Sequence, residues 1–190
     1  MKVLFQTERI ICREFELNDL QPFADYRALP DVAKYQSWEE YIYQDALALF
    51  KEMQRVPFAT KGHWFQLAIT TKTSSKSEES QLLGDLAVHF IDDEQIEVGF
   101  TFAPDFQGQG FASEAVLGLL AYLFTQLKPH RVIAITDTEN IPSWLLLERV
   151  GFRREAHFIE NVFFKGAWGS EFQYAMLASE WSPSSGNAYA

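Results

Sequence analysis

The chain has 190 residues, enough for one domain with a sizeable core, and a formal net charge of −10. This acidic balance argues against a nucleic-acid polymer as the main partner, because phosphate backbones are bound by patches of Lys and Arg. The single cysteine, Cys12, excludes a disulfide within the chain and a zinc site built from cysteines.

The first half of the chain alternates short apolar strands with helical patterns. The predicted elements are, in order, a strand at 7–15, helices at 19–28 and 38–54, a strand at 64–70 and a polar, serine-rich hairpin tip at 71–80. The first ten residues lack the long apolar segment of a secretory signal. The longest apolar run, residues 115–124, is too short to cross a membrane. The sequence therefore predicts a cytoplasmic protein with no membrane partner.

The second half contains a long helix between two strands, which is the pattern of a parallel crossover. The predicted elements are strands at 82–91 and 95–102, a helix at 114–127, a strand at 131–136, a helix at 142–150, and strands at 157–164 and 171–177. The crossover should pair 131–136 parallel with 95–102. We expect an α+β (mixed α/β) fold with a mostly antiparallel sheet of about seven strands flanked by helices. A single domain should span 1–182, followed by a disordered tail at 183–190.

The segment 107–115, QGQGFASEA, is the most informative motif in the chain. It lies between a predicted strand and the start of the long helix. The first N–H groups of a helix have no partner within it, and the helix dipole adds partial positive charge there. The motif therefore predicts a phosphate-bearing ligand held by the main chain.

Three phosphate ligands are compatible with such a loop to different degrees. An ATP-binding P-loop requires a Lys that this segment lacks. A dinucleotide fingerprint matches Gly108 and Gly110, and Asp137 follows a buried strand as a ribose-binding acid would, but Ser113 replaces the third glycine. Too little chain follows for further parallel units. Coenzyme A is the third possibility, since Gln107, Gly110 and Ala112 have the spacing Gln-x-x-Gly-x-Ala.

Several other segments join this loop in one family resemblance. They are TERIICREF near the start, GDLAVHFID in the middle, NIPSWLLLERVGF at 140–152 and EFQYAMLASEW ending at Trp181. Together they resemble the GNAT superfamily of N-acetyltransferases, in particular its ribosomal-protein N-acetyltransferase branch, over residues 7–181. The resemblance implies acetyl-CoA as cosubstrate, an amine as acceptor, no metal, and a sheet whose parallel strand pair splays apart. Homodimers are common in the family, but nothing in the sequence requires one.

The resemblance also implies which residues bind coenzyme A. Backbone N–H groups in the glycine loop should hold the pyrophosphate, and the end of the preceding strand and a downstream asparagine should bind the pantetheine arm. The residues implied are Gln107, Gly108, Gln109, Gly110, Phe111 and Ala112 for the pyrophosphate, and Thr101, Phe102, Ala103, Asn140 and Ser143 for the rest.

The catalytic groups follow from the same resemblance. Many members carry a proton-donating Tyr at the position of Leu147, whereas the ribosomal branch has a Ser at the position of Ser143. Ser143 is thus the candidate proton donor to the leaving thiolate, the alternative being a helix-start cap. Glu97 is the candidate base, the alternative being a solvated strand residue, with Asp137 and Glu139 as further candidates.

The acceptor is less defined by the sequence. The acidic balance suits a basic protein N-terminus or a small-molecule amine. Aromatic residues that could line an acceptor pocket, each with core or hairpin packing as the alternative, are Trp38, Trp64, Phe163 and Trp168, together with His157. The four histidines lack metal-ligand spacing. A CoA-binding sensor or interaction module without turnover is the alternative function.

Overall fold

The strands of the protein form one eight-stranded sheet in the computed structural model, which describes residues 2–73 and 80–182. The strands are β1 Val3–Gln6, β2 Ile10–Glu14, β3 Trp64–Thr71, β4 Leu82–Phe90, β5 Gln95–Phe102, β6 Arg131–Asp137, β7 Arg153–Phe164 and β8 Ala167–Leu177. The helices are α1 Leu20–Arg27, α2 Pro30–Ala33, α3 Tyr43–Met53, α4 Phe111–Tyr122 and α5 Ile141–Arg149. A π-helical turn, Leu123–Leu127, prolongs α4. None of the helices in these ranges is long and apolar enough to span a membrane.

The sheet order is β1-β2-β3-β4-β5-β6-β8-β7, and β5–β6 is the one parallel pair in the described ranges. The predicted fold class is confirmed, with eight strands instead of about seven. The additional strand is β1, a four-residue segment whose alternation is too short to stand out in the sequence. The helix predicted at 38–54 begins only at Tyr43. Part of the predicted hairpin tip (74–79) and the predicted tail (183–190) lie outside the described residues.

The two faces of the sheet are covered by different helices. Leu86 and Val88 of β4 pack with the α4 residues Leu119 and Leu120 in one core cluster. The alternate β4 residues, including Asp85, point toward α1, because successive side chains of a strand point to opposite faces. A second cluster of α1 and α3 side chains covers part of that face.

A buried ion pair joins α1 to the sheet. Arg27 Nη2 donates to Asp85 Oδ2 at 2.9 Å, and the Tyr26 hydroxyl donates to the other carboxylate oxygen at 2.5 Å. The guanidinium lies over the rings of Phe23 (4.2 Å) and Trp38 (4.5 Å). A charge removed from water must be paired in this way. The pair therefore fixes where α1, and the chain that follows it, lie over β4.

The parallel pair β5–β6 is joined at only three positions. The paired residues are Gln95↔Arg131, Ile96↔Val132 and Glu97↔Ile133. Beyond them β5 stays with β4 as far as Phe102, whereas β6 stays with β8 as far as Asp137. A V-shaped gap therefore opens in the middle of the sheet, between residues 98–102 and 134–137.

Gly84 permits β5 to follow β4 away from β6. A Cβ atom built at Gly84 would lie 2.3 Å from the Thr101 carbonyl oxygen and 2.8 Å from Phe102 Cα. Both are backbone atoms, which cannot rotate away. A glycine is therefore required at this position for the end of β5 to approach β4 so closely.

The start of α4 is held by the turn between β1 and β2. Glu114, whose side chain is fully buried, accepts hydrogen bonds from Thr7 Oγ1 (2.5 Å), Arg9 N (3.0 Å) and Arg9 Nε (2.6 Å). Burial raises the pKa of Glu114, but these hydrogen bonds outweigh it and hold the pKa below the usual glutamate value. Arg9 also donates to the Gln109 carbonyl and lies 4.4 Å from the centre of the Phe111 ring. We call these contacts of Thr7, Arg9 and Glu114 the α4 clamp.

We predict that Gly84→Ala destabilises the fold by about 1–3 kcal/mol, the usual cost of forcing atoms into a packed site. Urea denaturation followed by circular dichroism measures the change. Gly99→Ala is the matched control in the neighbouring strand, since its Cβ would meet only Ala87 Cβ at 3.6 Å. Equal stability of the two variants would contradict the role assigned to Gly84.

We predict that Glu114→Gln costs about 1–3 kcal/mol at neutral pH, because it weakens several hydrogen bonds to a buried charge. A carboxyl whose pKa is lowered by folding stabilises the protein above its unfolded pKa, and this contribution is lost as the pH falls through the folded pKa. The difference in Tm between wild type and variant should therefore shrink on acidification. Glu52→Gln, at an exposed pair with Arg55, is the control and should show little difference at any pH.

Candidate functional site

The glycine loop has the geometry of an anion cradle. Gly108 and Gly110 have φ angles of 71° and 85°, a region that glycine enters without strain. The first hydrogen bond of α4 runs from Glu114 N–H to Gly110 C=O (3.0 Å), so the amides before Glu114 in the first turn have no intrahelical partner. The Gln107 side chain donates to the Phe102 carbonyl (2.8 Å) and ties the loop to β5. The loop therefore presents its amides at the positive end of a helix fixed by the α4 clamp.

A groove of about 640 Å³ runs from this loop to the start of α5. Residues of the predicted coenzyme A site that line it are Thr101, Phe102, Gln107, Gly108, Gly110, Ala112, Asn140 and Ser143. The other predicted residues, Ala103, Gln109 and Phe111, do not line it. The basic side chains Lys34 and Arg149 do. Neither was expected from the sequence, because the resemblance implied no binding role for Lys34 or for Arg149, although Arg149 lies in the segment 140–152.

The end of β5 offers backbone groups to the gap at alternate residues. Ala103 is committed to the fold, since its N–H donates to Leu83 C=O (3.0 Å) and its C=O accepts from Phe106 N–H (2.9 Å). Because Ala103 N–H points at β4, the backbone groups of Phe100 and Phe102 point the other way, into the gap. Phe100 and Phe102 therefore direct backbone groups into the gap, where the Phe102 carbonyl already accepts from the Gln107 side chain, whereas both backbone groups of Ala103 are hydrogen-bonded within the fold.

A second cavity, of about 330 Å³, lies on the α1 face of the sheet. Trp38 and Trp64 are in its wall, and the ion pair of Arg27 with Asp85 is at its border. The groove and the cavity share six lining residues, namely Tyr35, Gln36, Phe100, Thr101, Asn140 and Ser143. The two spaces therefore meet at the mouth of the splayed strands.

Ser143 lies at this junction, in the first turn of α5. The N-cap of α5 is Asn140, so Ser143 is not its capping residue. Within the described ranges the Ser143 hydroxyl makes no hydrogen bond to another group, which leaves it available to a ligand. Leu147, one turn later, is buried and lines the second cavity, where many members of the resembled family have Tyr.

Glu97 lies in the wall of the second cavity with 22% of its side chain exposed. Burial raises the pKa of Glu97 above the usual glutamate value; the His89 imidazole opposes this shift and the Glu171 carboxylate adds to it. Asp137 lines the same cavity and accepts a hydrogen bond from Glu139 N–H (2.7 Å). Glu139 does not line it. Among the three candidate carboxylates, Glu97 thus combines partial burial, a raised pKa and a position in the cavity wall, which are the properties expected of a general base.

The cavity has an excess of negative charge. The basic side chain in its lining, Arg27, is already paired with Asp85. Glu97, Asp137 and Glu171 remain without a cationic lysine or arginine partner in the described ranges. Asp137 and Glu171 are directly opposite each other on β6 and β8, an arrangement that costs stability in an empty site. The lining therefore favours a cationic occupant.

The hairpin β7–β8 closes the cavity from the side. Val162 and Phe164 line it, and Lys165 Nζ in the turn donates to the Ala33 carbonyl (2.6 Å). Two of the other aromatics considered from the sequence, Phe163 and Trp168, are exposed and pack on each other at 5.5 Å instead.

His157 also lies outside the cavity lining, with its ring 4.8 Å from that of Phe172. No group of three His, Cys, Asp or Glu side chains in residues 2–73 and 80–182 is arranged to hold a metal ion.

Comparison with known proteins identifies the family. The profile of the acetyltransferase (GNAT) domain matches residues 9–153. The uncharacterized N-acetyltransferase YnaD of Bacillus subtilis is 32% identical over 93% of this chain and 98% of its own length. A GNAT-family acetyltransferase from Bacillus anthracis has a similar structure, with a TM-score of 0.81, 28% identity, and coverage of 94% of this chain and 100% of that one.

The ribosomal-protein branch also appears among the relatives. The ribosomal protein uS5-alanine N-acetyltransferase of Escherichia coli is 27% identical over 45% of this chain and 44% of its own length. The chain belongs to the acetyltransferase (GNAT) family and is an N-acetyltransferase that uses acetyl-CoA as the acetyl donor.

Proposed function

We propose that the protein transfers the acetyl group of acetyl-CoA directly to the primary amine of a cationic acceptor, within a ternary complex. The observation that carries this proposal is that the groove and the acidic cavity meet at Asn140 and Ser143. A donor in the groove and an amine in the cavity would face each other there. Holding two reactants in contact in this way lowers the barrier to their reaction.

Coenzyme A fits the groove by the chemistry of its lining. The free amides at the start of α4 suit the pyrophosphate, and the backbone groups of Phe100 with the N–H of Phe102 suit the amides of the pantetheine arm. The Asn140 side chain adds a donor and an acceptor at the junction. Acetyl-CoA supplies the acetyl group as a thioester.

We assign the proton transfers of this reaction to two side chains. The amine must be neutral to attack, so a base has to remove its proton, and Glu97 is the partly buried carboxylate in the acceptor cavity. Its raised pKa makes it a stronger base than an exposed glutamate. Ser143 Oγ, directly or through water, supplies the proton that the departing sulfur requires. No residue acts as a covalent nucleophile, and Cys12 is buried in the core.

The cavity limits the chemistry of the acceptor. A volume of about 330 Å³ holds a small amine or the first residues of a protein N-terminus. The carboxylates of Glu97, Asp137 and Glu171 would attract a basic N-terminal segment or a diamine and repel a free amino acid through its carboxylate. The acceptor we propose is therefore a primary amine with at least one further positive charge nearby.

A CoA-binding module without turnover is the second candidate function. The observation that favours it is Leu147, an apolar side chain where many relatives have a proton-donating Tyr. Ser143, one helical turn earlier and at the junction of both spaces, is the group that compensates for this replacement if the protein is catalytic.

We predict thiol release from acetyl-CoA with cationic acceptors. A basic N-terminal peptide and 1,4-diaminobutane should react with higher kcat/KM than butylamine or free alanine, because the cavity lining is acidic. Ser143→Ala should lower kcat about tenfold or more while CoA affinity stays within about twofold, since the glycine loop, the end of β5 and Asn140 would still hold CoA without the hydroxyl.

Thiol release is followed with a thiol-reactive dye, and CoA affinity by calorimetry. CoA binding without thiol release in the presence of any acceptor would reject the enzymatic proposal in favour of the binding module. A faster reaction with free alanine than with the diamine would reject the cationic acceptor.

We predict that Glu97→Gln lowers kcat/KM by about 10²-fold or more, the usual contribution of a general base. In the wild type, kcat/KM should fall as the pH decreases through the pKa of Glu97, which lies above the usual glutamate value. In Glu97→Gln this acid limb should disappear. Glu139→Gln, outside both spaces, is the matched control and should keep the wild-type profile. An unchanged acid limb in Glu97→Gln would assign the base elsewhere.

A further inference from the structure

Three side chains, one from each of three neighbouring strands, form a row beside the acidic cavity. Trp64 of β3 pairs with His89 of β4, and His89 pairs with Glu97 of β5. Residues paired across antiparallel strands share a face, so the three side chains lie next to each other. The Trp64 indole stacks on the His89 imidazole at 4.7 Å with an angle of 12° between the planes. The stack fixes the orientation of the imidazole.

This orientation points one ring nitrogen of His89 at Glu97. Nδ1 is buried and has no hydrogen-bond partner within residues 2–73 and 80–182, and Glu97 Oε2 is 3.7 Å away. Of the imidazole side chain as a whole 23% is exposed, so another edge of the ring reaches solvent. A buried nitrogen without a partner costs stability and demands a reason. Glu97 is the group in place to satisfy it.

The protonation states of His89 and Glu97 determine whether the two side chains can hydrogen-bond to each other. When the neutral imidazole carries its proton on Nε2, the lone pair on Nδ1 repels the carboxylate and both groups are left without a hydrogen bond. A proton between Nδ1 and the carboxylate gives both groups a hydrogen bond, whether in the other neutral tautomer, as imidazolium with carboxylate, or as imidazole with carboxylic acid. A small rotation of either side chain shortens 3.7 Å to hydrogen-bond distance. The pair is therefore built to share one proton.

We propose that His89 is the positioning residue of Glu97 and the outlet for the proton taken from the acceptor amine. Glu97 accepts the proton from the amine nitrogen and passes it to His89 Nδ1, and the imidazolium then releases a proton from Nε2 to solvent. Glu97 is thereby restored as a carboxylate, and His89 is left neutral with its proton on Nδ1. Once the product has left, exchange with water removes the Nδ1 proton and returns one to Nε2, which restores the starting tautomer for the next turnover. This inference rests on the proposed role of Glu97 as base.

The other charged groups around Glu97 cannot accept its proton and release it to solvent. They are Glu171 on β8, Asp137 on β6, Asp85 on β4 with its partner Arg27 on α1, and Arg131 on β6 with its partner Glu155 on β7. The unpaired members of this set are carboxylates, which add negative charge and make Glu97 harder to ionise. His89 is the group that lowers the pKa of Glu97 and has an edge in solvent.

The test compares His89→Gln with His130→Gln, a substitution of an exposed histidine outside both cavities. Glutamine keeps polar atoms near Glu97 but cannot carry a proton between pH 4 and 10. We expect His89→Gln to lower kcat about tenfold at neutral pH and to move the acid limb of kcat/KM to higher pH, with the KM for acetyl-CoA unchanged. His130→Gln should behave as wild type.

A second measurement does not need turnover. The ¹³C shift of the Glu97 carboxyl, followed by NMR in the protein without substrates, should titrate at higher pH in His89→Gln than in wild type. Reciprocally, the ¹⁵N shifts of the His89 ring should change over the pH range in which Glu97 titrates. This change should be absent in Glu97→Gln. The reciprocal measurement remains available if His89→Gln does not fold.

Each outcome separates this inference from the proposed function. The shared proton is rejected if Glu97 titrates identically in wild type and in His89→Gln. It is also rejected if the NMR shifts of His89 are unchanged by Glu97→Gln. Coupled titration with normal activity of His89→Gln overturns the outlet role. Coupled titration without acetyl transfer to any acceptor supports the pairing and contradicts the proposed function alone.

Discussion

The splay of the parallel pair β5–β6 is the constraint on which the site depends. Two strands that separate inside a sheet would normally leave backbone groups without partners, at a cost for each buried group. Here each strand keeps its other neighbour, and Gly84 lets the end of β5 follow β4 where any side chain would collide with the Thr101 carbonyl. The backbone groups without a strand partner are thereby confined to the two facing edges of the gap, at 98–102 of β5 and 134–137 of β6. A ligand with amides along its length can bind there as a strand would.

Contacts between distant parts of the chain then fix what surrounds the gap. The α4 clamp holds the glycine loop by three hydrogen bonds to Glu114 from residues more than a hundred positions earlier. The Arg27–Asp85 pair ties α1 to β4, and Lys165 ties the β7–β8 hairpin to α2. Glu114 and the Arg27–Asp85 pair are buried, so displacing α4 or α1 would leave a buried charge without its partner. These contacts fix the helices that border the groove and the acidic cavity.

The parts of the site that the sequence predicted are those encoded by neighbouring residues. The loop at 107–112 follows from glycines between a strand and a helix, and the parallel pairing of β6 follows from the length of the crossover. The parts that it did not predict depend on pairings between strands. The register that puts His89 beside Glu97, and the bond that occupies Ala103, exist only once the sheet has formed. His89 in particular has no local pattern that separates it from an ordinary core or surface histidine.

In the proposed reaction the acidic cavity creates a difficulty that the neighbourhood of Glu97 would resolve. Carboxylates that attract a cationic amine also stabilise its protonated form, which cannot attack a thioester. The reaction would then require a stronger base, and burial raises the pKa of Glu97, the proposed base. The same shift makes Glu97 slow to release the proton, and further carboxylates such as Glu171 would only worsen this. A histidine can relieve it, because it gains a positive charge when it accepts the proton and can lose that proton to water near neutral pH. An acceptor cavity of this charge would therefore work best with an imidazole beside its base, and the register of β4 and β5 puts His89 beside the proposed base, Glu97.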